Sequence, residues 1–207
     1  CRHGQTKYNR LQCIQGARVD PPLNEFGRQQ SRLLGQALDR ISPSLIVHSP
    51  LLRSVETAQV AAQEVSLCPK LQELDLLASI DYESVAKGAK IQDVRPKLRL
   101  IYAAWSIGNV DTRMAGDGES GREVLERVGR ALSRMEKMAY DRSDRTIVAV
   151  SHSSFLCVLL ASISGQSIVQ MSAQRIGNCS INVVDMERNT KGRVLRINEE
   201  RHLASLH

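Results

Sequence analysis

Thr146-Ile147-Val148-Ala149-Val150-Ser151-His152-Ser153-Ser154 is a β-branched apolar run that halts at a short polar step and passes directly into a second apolar segment, 155–163. Branched side chains favour extended backbone, so the first part predicts a strand over 145–150; the second, longer and free of Gly and Pro, predicts a helix. The same order occurs earlier in the chain. Ser44-Leu45-Ile46-Val47-His48 reads as a strand, Ser49-Pro50 turns the chain, and 51–64, with Ala58, Ala61 and Ala62, reads as a helix. Two strand-loop-helix units predict an α/β fold: a doubly wound, mostly parallel sheet flanked by helices.

Outward from these units, Leu23, Phe26, Leu33, Leu34, Ala37, Leu38 and Ile41 recur at helical spacing over 23–40, with Asn24 as the N-cap. Segments 90–107 and 120–140 also read as helices, broken apart by Gly116-Asp117-Gly118, and form a predicted helical cap insertion. Residues 67–88 mix a short apolar run with polar turns. Two short strands, 179–185 and 193–197, are expected to finish the sheet, and the polar tail after Glu199 is expected to fray. With 207 residues, 42% of them hydrophobic, the chain is read as one domain, 1–207. It opens on Cys1 rather than Met. The N-terminal strand therefore reads as truncated, and any targeting segment would lie upstream.

Composition narrows the function. No apolar run reaches the roughly 18 residues needed to span a bilayer, so no membrane association is expected. Five cysteines, an odd number without a Cys-x-x-Cys pair, suggest neither a disulfide framework nor a zinc knuckle; a reducing compartment, hence the cytoplasm, fits best. The net charge of +6 comes from basic residues scattered among 22 acidic ones, and only 3% of the chain is aromatic. Few stacking platforms are thus available for single strands, and a small anionic substrate, not nucleic acid, accounts for the excess. A cysteine phosphatase loop needs five residues between Cys and Arg, whereas Cys13 reaches Arg18 after four. Gly118-Glu119-Ser120-Gly121 has the wrong spacing for a serine nucleophile elbow. No cluster of Asp, His and Asn ligands is found, so no metal and no cofactor is expected.

Three separated features fall at corresponding places: Arg2-His3 near the start, Arg53 just past strand 44–48, and His152 just past strand 145–150. In an open parallel sheet the loops beyond the carboxyl ends of the strands share one edge. Two arginines and two histidines gathered there suit a phosphoryl group, because guanidinium forks match phosphate oxygens and stay charged. The stretch Arg2-His3-Gly4-Gln5-Thr6-Lys7-Tyr8-Asn9 resembles the signature of the phosphoglycerate mutase-like histidine phosphatases. Further elements follow in that family's order: Gln15-Gly16, Asp20 through Pro22-Leu23 to Gly27 and Gln30, Ser49-Pro50-Leu51-x-Arg53 with Thr57-Ala58, Gly118-Glu119-Ser120, Ser151-His152, and Asn178-Cys179-Ser180.

The resemblance implies that His3 is a nucleophile forming a covalent phosphohistidine, while Arg2, Arg53 and His152 hold the transferring oxygens. It places Asn9, Gln15, Gly16 and Ser153 against the substrate. A neutral imidazole is needed for attack, and surrounding cations would help keep it so. The general acid is expected at Glu73, in Leu71-Gln72-Glu73. The family's following Gly and Trp-Glu-Gly are replaced here by Leu77-Ala78-Ser79-Ile80-Asp81-Tyr82-Glu83, which keeps Asp75 and Glu83 as alternatives. The family's common Gly after the second histidine is Ser153. A metal-independent phosphomonoesterase for a small phosphorylated metabolite is the expected activity. Mutase-type phosphoryl transfer and a non-catalytic phospholigand-binding module are the alternatives.

Overall fold

The structure is a computed structural model that describes residues 1–82, 88–114, 116–142, 145–186 and 192–206. A short helix, α1 (Lys7–Arg10), precedes α2 (Glu25–Asp39), β1 (Leu45–His48), α3 (Leu52–Gln63) and β2 (Lys70–Glu73). Then come α4 (Ile91–Ser106), α5 (Gly121–Tyr140), β3 (Val148–Val150), α6 (Ser153–Ser164), α7 (Ile168–Ala173), β4 (Ile181–Asp185) and β5 (Arg193–Glu199). Both predicted strand-loop-helix units form. Asn24 caps α2 by accepting from the Gly27 amide at 2.8 Å.

The main sheet has the order β2-β1-β3, all parallel, with Val47 opposite Gln72 on one side and Ala149 on the other. Every residue of β1 is buried, as a strand covered on both faces requires. Leu45 and Val47 point to one face, into a core shared with Val124 and Val128 of α5 and Phe155 and Val158 of α6. Ile46 points to the other, where Leu34 and Leu38 of α2 and Ala58 and Ala61 of α3 close over it. Helices on both faces of a parallel sheet are the doubly wound arrangement predicted. Of the two helices expected as a cap, α5 belongs to this covering layer, and α4 packs against α7.

Residues 1–3 add a further position to the ladder. The Cys1 amino group donates to the Ala149 carbonyl (2.7 Å), the Ser151 amide to Cys1 (2.9 Å) and the His3 amide to Ser151 (3.0 Å). On the opposite side the Arg2 amide donates to Ser180 (3.3 Å) and the Cys179 amide to Arg2 (3.1 Å). His3 is thus fixed from both flanks.

Two expectations are corrected. β4 and β5 do not finish the main sheet; they pair with each other as a separate antiparallel sheet with an irregular register. The segment Cys1–His3 occupies the place beside β3, and the left-handed backbone of Cys179 (φ 56°) turns the chain before β4 begins. The tail does not fray either: Arg201–Leu206 forms a 3₁₀ helix that buries Leu203 in the core beside α2. The unreadable stretch 67–88 contains edge strand β2 and a 3₁₀ turn, Asp75–Leu77, that seats Leu77 and Ile80 in the core. Among the described residues no helix is long and apolar enough to cross a membrane.

Candidate active site

The parallel ladder delivers His3, Ser49 and His152 to one edge, each just past the point where its segment leaves the sheet. His3, His152 and Arg53 are 3%, 2% and 1% exposed. The two imidazole centroids lie 5.1 Å apart with the rings tilted by 51°. Such a concentration of buried cationic and imidazole groups opposes the hydrophobic drive of the surrounding core, and a specific geometry must hold it.

The chain leaves the sheet through Gly4, which has no room for a side chain: a Cβ there would sit 2.6 Å from the Gly27 carbonyl oxygen of α2. The Gly4 amide donates to Thr57 Oγ1 (2.9 Å), whose hydroxyl donates to the Arg53 carbonyl (2.6 Å). His3 Nδ1 lies 2.8 Å from the Gly4 carbonyl oxygen. A carbonyl only accepts, so Nδ1 carries the proton and Nε2 presents its lone pair. Burial, then the charges of Arg53 and Arg2, hold the His3 pKa well below its ordinary 6.5. At neutral pH the ring is an uncharged base with a defined tautomer.

Arg53 enters from the first turn of α3. Its Nη1 donates to the Val19 carbonyl (2.9 Å) and approaches Asp20 Oδ1 (3.4 Å); its Nη2 donates to the Gly16 carbonyl (2.8 Å). Gly16 turns that carbonyl inward from a left-handed conformation (φ 59°) with Tyr82 packed over it, where glycine is favoured. Asp20 also caps the start of α3, accepting from the Leu52 amide at 2.7 Å. Arg2 Nη1 donates to the Ile176 carbonyl at 2.6 Å. Burial lowers both guanidinium pKa values to about 10, which leaves both charged at physiological pH.

Three nitrogen atoms of this cluster, Arg2 Nε, Arg53 Nε and His152 Nδ1, are buried without a hydrogen-bond partner among the described residues. Buried polar atoms are nearly always paired, so three exceptions in one cluster make it a candidate site for a hydrogen-bonding ligand. Around them Asn9 Oδ1 accepts from the Thr6 amide (3.1 Å) and from Asn178 Nδ2 (3.2 Å). Gln15 Oε1 lies 3.1 Å from the Thr6 hydroxyl. Ser153 opens α6 directly after His152.

The carboxylates are arranged differently. Glu73 ends β2 opposite His48, exposed, at the same sheet edge as the histidines, and its carboxylate makes no hydrogen bond or ion pair with the described residues. Asp75 is exposed in the following turn, and Glu83 lies outside the described residues. Glu119 is committed elsewhere: it accepts from the Asp81 amide and pairs with Arg127 at 2.8 Å. Residues with no role assigned by sequence reasoning also support the site. They are Thr57, Asp20, Ser49 and Asn178, whose Nδ2 donates to the His3 carbonyl at 3.0 Å. All four stand in the ordered motif stretches, which was the available signal. Within the Gly118-Glu119-Ser120 element, Ser120 is the N-cap of α5, in a reciprocal capping box with Glu123.

The buried imidazoles carry a stability signature. His152 is also held well below 6.5, by burial first and then by Arg53 and His3. Between 6.5 and the depressed folded values the unfolded chain binds more protons than the folded one, so stability rises with pH across that window. The stability present above pH 6.5 is therefore lost as pH falls toward the folded values, at up to about 1.4 kcal/mol per pH unit for each ring. Urea unfolding at pH 7.5, 6 and 5 is expected to show this decline; a constant midpoint would contradict it.

Comparison with known proteins places the chain in a family. The histidine phosphatase superfamily (branch 1) profile matches residues 1–200. Phosphoserine phosphatase 1 of Hydrogenobacter thermophilus is 27% identical over 206 residues, covering 100% of this chain and 93% of that protein. A probable phosphoglycerate mutase of Citrobacter koseri is 30% identical over 192 residues, covering 91% and 84%. The fold matches the crystal structure of phosphoserine phosphatase from Entamoeba histolytica, in complex with 3-phosphoglyceric acid, with a TM-score of 0.79 at 22% identity over 98% and 96% of the two chains. With the match running through both histidines and both arginines of the cluster, the chain belongs to branch 1 of the histidine phosphatase superfamily.

Proposed function

We propose that the protein is a metal-independent phosphomonoester hydrolase that acts on a small phosphorylated metabolite through a phosphohistidine on His3. The observation that carries this reading is the buried His3 ring, held in its neutral form with Nδ1 on the Gly4 carbonyl, so that Nε2 presents its lone pair beside three buried nitrogens without partners among the described residues. Nε2 attacks phosphorus as the ester P–O bond breaks, giving a phosphoenzyme and an alcohol. Water then attacks the same phosphorus, releasing phosphate and restoring Nε2. Arg2, Arg53 and His152 balance charge on the equatorial oxygens, the main contribution available in phosphoryl transfer. Asn9 and Gln15, whose carbonyl oxygens are occupied, turn their amide nitrogens to the substrate. Gly16 acts through Arg53, and Ser153 contributes from the amino end of α6, where the helix dipole favours an anion.

Glu73 is the acid that protonates the leaving alcohol and the base that then takes a proton from water. Its position at the end of β2, on the sheet edge that carries the histidines, supports it over Asp75 in the following turn. Glu73→Gln is expected to lower kcat for alkyl phosphates by about 10²-fold or more, with a far smaller effect on an aryl phosphate whose leaving group needs no proton. Equal losses on both would remove Glu73 from the role.

The similarity to a probable phosphoglycerate mutase supports a second reading, transfer between two hydroxyls of one acid. Phosphate release from a panel of phosphomonoesters in chelator decides between them. Steady release supports the hydrolase; isomerised phosphoester without free phosphate supports the mutase; neither product supports a non-catalytic binding module. The five unpaired cysteines support a reducing compartment, and we assign the protein to the cytoplasm.

A further inference from the structure

The second histidine of the cluster has an ambiguity that the first does not: its proton could reside on either nitrogen. Ser49 resolves it. Ser49 is fully buried, and its backbone amide continues the β1–β3 ladder by donating to the Val150 carbonyl at 3.1 Å. Its Oγ lies 2.8 Å from His152 Nε2 and accepts from the Leu51 amide at 3.2 Å. An amide N–H only donates, so the Leu51 contact cannot receive the serine hydroxyl proton. Among the described residues the partner placed to receive it is His152 Nε2, and a buried hydroxyl left without an acceptor would cost stability.

We infer that Ser49 is a positioning residue that fixes the tautomer of His152, leaving Nε2 as acceptor and placing the proton on Nδ1. The inference rests on the phosphohistidine reading for its purpose, though not for its geometry. Nδ1 is the His152 atom that is buried without a partner among the described residues. The groups whose charge acts on the ring are Arg53, His3, Arg2 and Arg127; the arginines cannot accept, and His152 Nδ1 makes no hydrogen bond to His3. The Nδ1–H is therefore held ready for an acceptor from outside the protein, and a phosphoryl oxygen offers only lone pairs. The two histidines have the same tautomer for opposite purposes. In His3 the Gly4 carbonyl takes Nδ1–H and frees the Nε2 lone pair for attack. In His152 the serine hydroxyl covers the Nε2 lone pair and frees Nδ1–H for donation. The opposite tautomer would aim a lone pair at an anion, converting attraction to repulsion within the low-dielectric site.

The test is nuclear magnetic resonance of the full chain labelled with ¹⁵N-histidine, with His152 assigned by comparison with His152→Asn. In the wild-type protein at neutral pH, the directly bonded proton is expected on Nδ1, and this resonance shifts when inorganic phosphate is added. Ser49→Ala is expected to mix the tautomers and lower kcat by roughly 10- to 100-fold, the scale of a misoriented catalytic group. Ser49→Thr, which keeps the hydroxyl, restores the wild-type signature. A proton on Nε2 in the wild type, or an unchanged Nδ1 signal in Ser49→Ala, overturns the inference. Because the tautomer is read without turnover, an inactive protein with the Nδ1 proton in place would refute the hydrolase reading and leave Ser49's role standing.

Discussion

Phosphate release by a His3→Ala variant is expected to fall by roughly 10³-fold or more, to the limit of detection. Removing a nucleophile removes the covalent route itself, and groups that act as a unit leave little behind when one is lost. The fold should survive the change. Among the described residues the imidazole's hydrogen bond runs to the neighbouring Gly4 carbonyl, while the backbone bonds to Ser151 and Cys179 that secure this segment are independent of the side chain. A well-folded, inactive variant is thus the expected outcome, measured by phosphate assay beside circular dichroism. Activity within tenfold of wild type would move the nucleophile elsewhere.

Arg53→Lys should be nearly as damaging, although it keeps the charge. The guanidinium reaches the Val19 and Gly16 carbonyls with two nitrogens and still leaves Nε unengaged; a lysine presents one ammonium and cannot reproduce that fork. One or both carbonyls would lose their donor, costing about 1–3 kcal/mol each where water cannot replace it. The 16–20 loop would then release its hold on the site. Loss of one oriented donor typically lowers kcat by about 10²- to 10³-fold, and the variant is expected to show this together with a lower Tm. A lysine variant of wild-type kcat would mean that charge alone matters at this position.

Much of this arrangement was legible from residue order. The β-branched runs ending at Ser49 and Ser151 implied strands whose exits meet at one edge, because parallel pairing aligns those ends. Arg2, His3, Arg53 and His152 were identified from that argument, and the structure brings their side chains into one cluster. Long-range contacts explain what was missed. β4 and β5 carry ordinary strand patterns, but whether they extend the main sheet depends on Cys1–His3 occupying the place beside β3. Local pattern holds no record of that competition. Arg201–Leu206 looked like a polar tail because its anchors are few and distant in sequence: Leu203 is buried, Leu206 packs beside it, and His202 Nε2 lies 3.0 Å from the Cys179 carbonyl oxygen. Thr57, Ser49 and Asn178 are small polar residues whose roles consist of hydrogen bonds to partners 53, 103 and 175 residues away. Periodicity cannot report contacts of that separation.

The most direct test of the phosphohistidine is to mix the enzyme with a ³²P-labelled phosphomonoester, quench within milliseconds, and map the label. The predicted result is one phosphoryl group per chain, labile in acid and stable in base, on the peptide containing His3 and lost when fresh substrate chases it. Turnover with no label on His3, or label on another residue, would contradict the account.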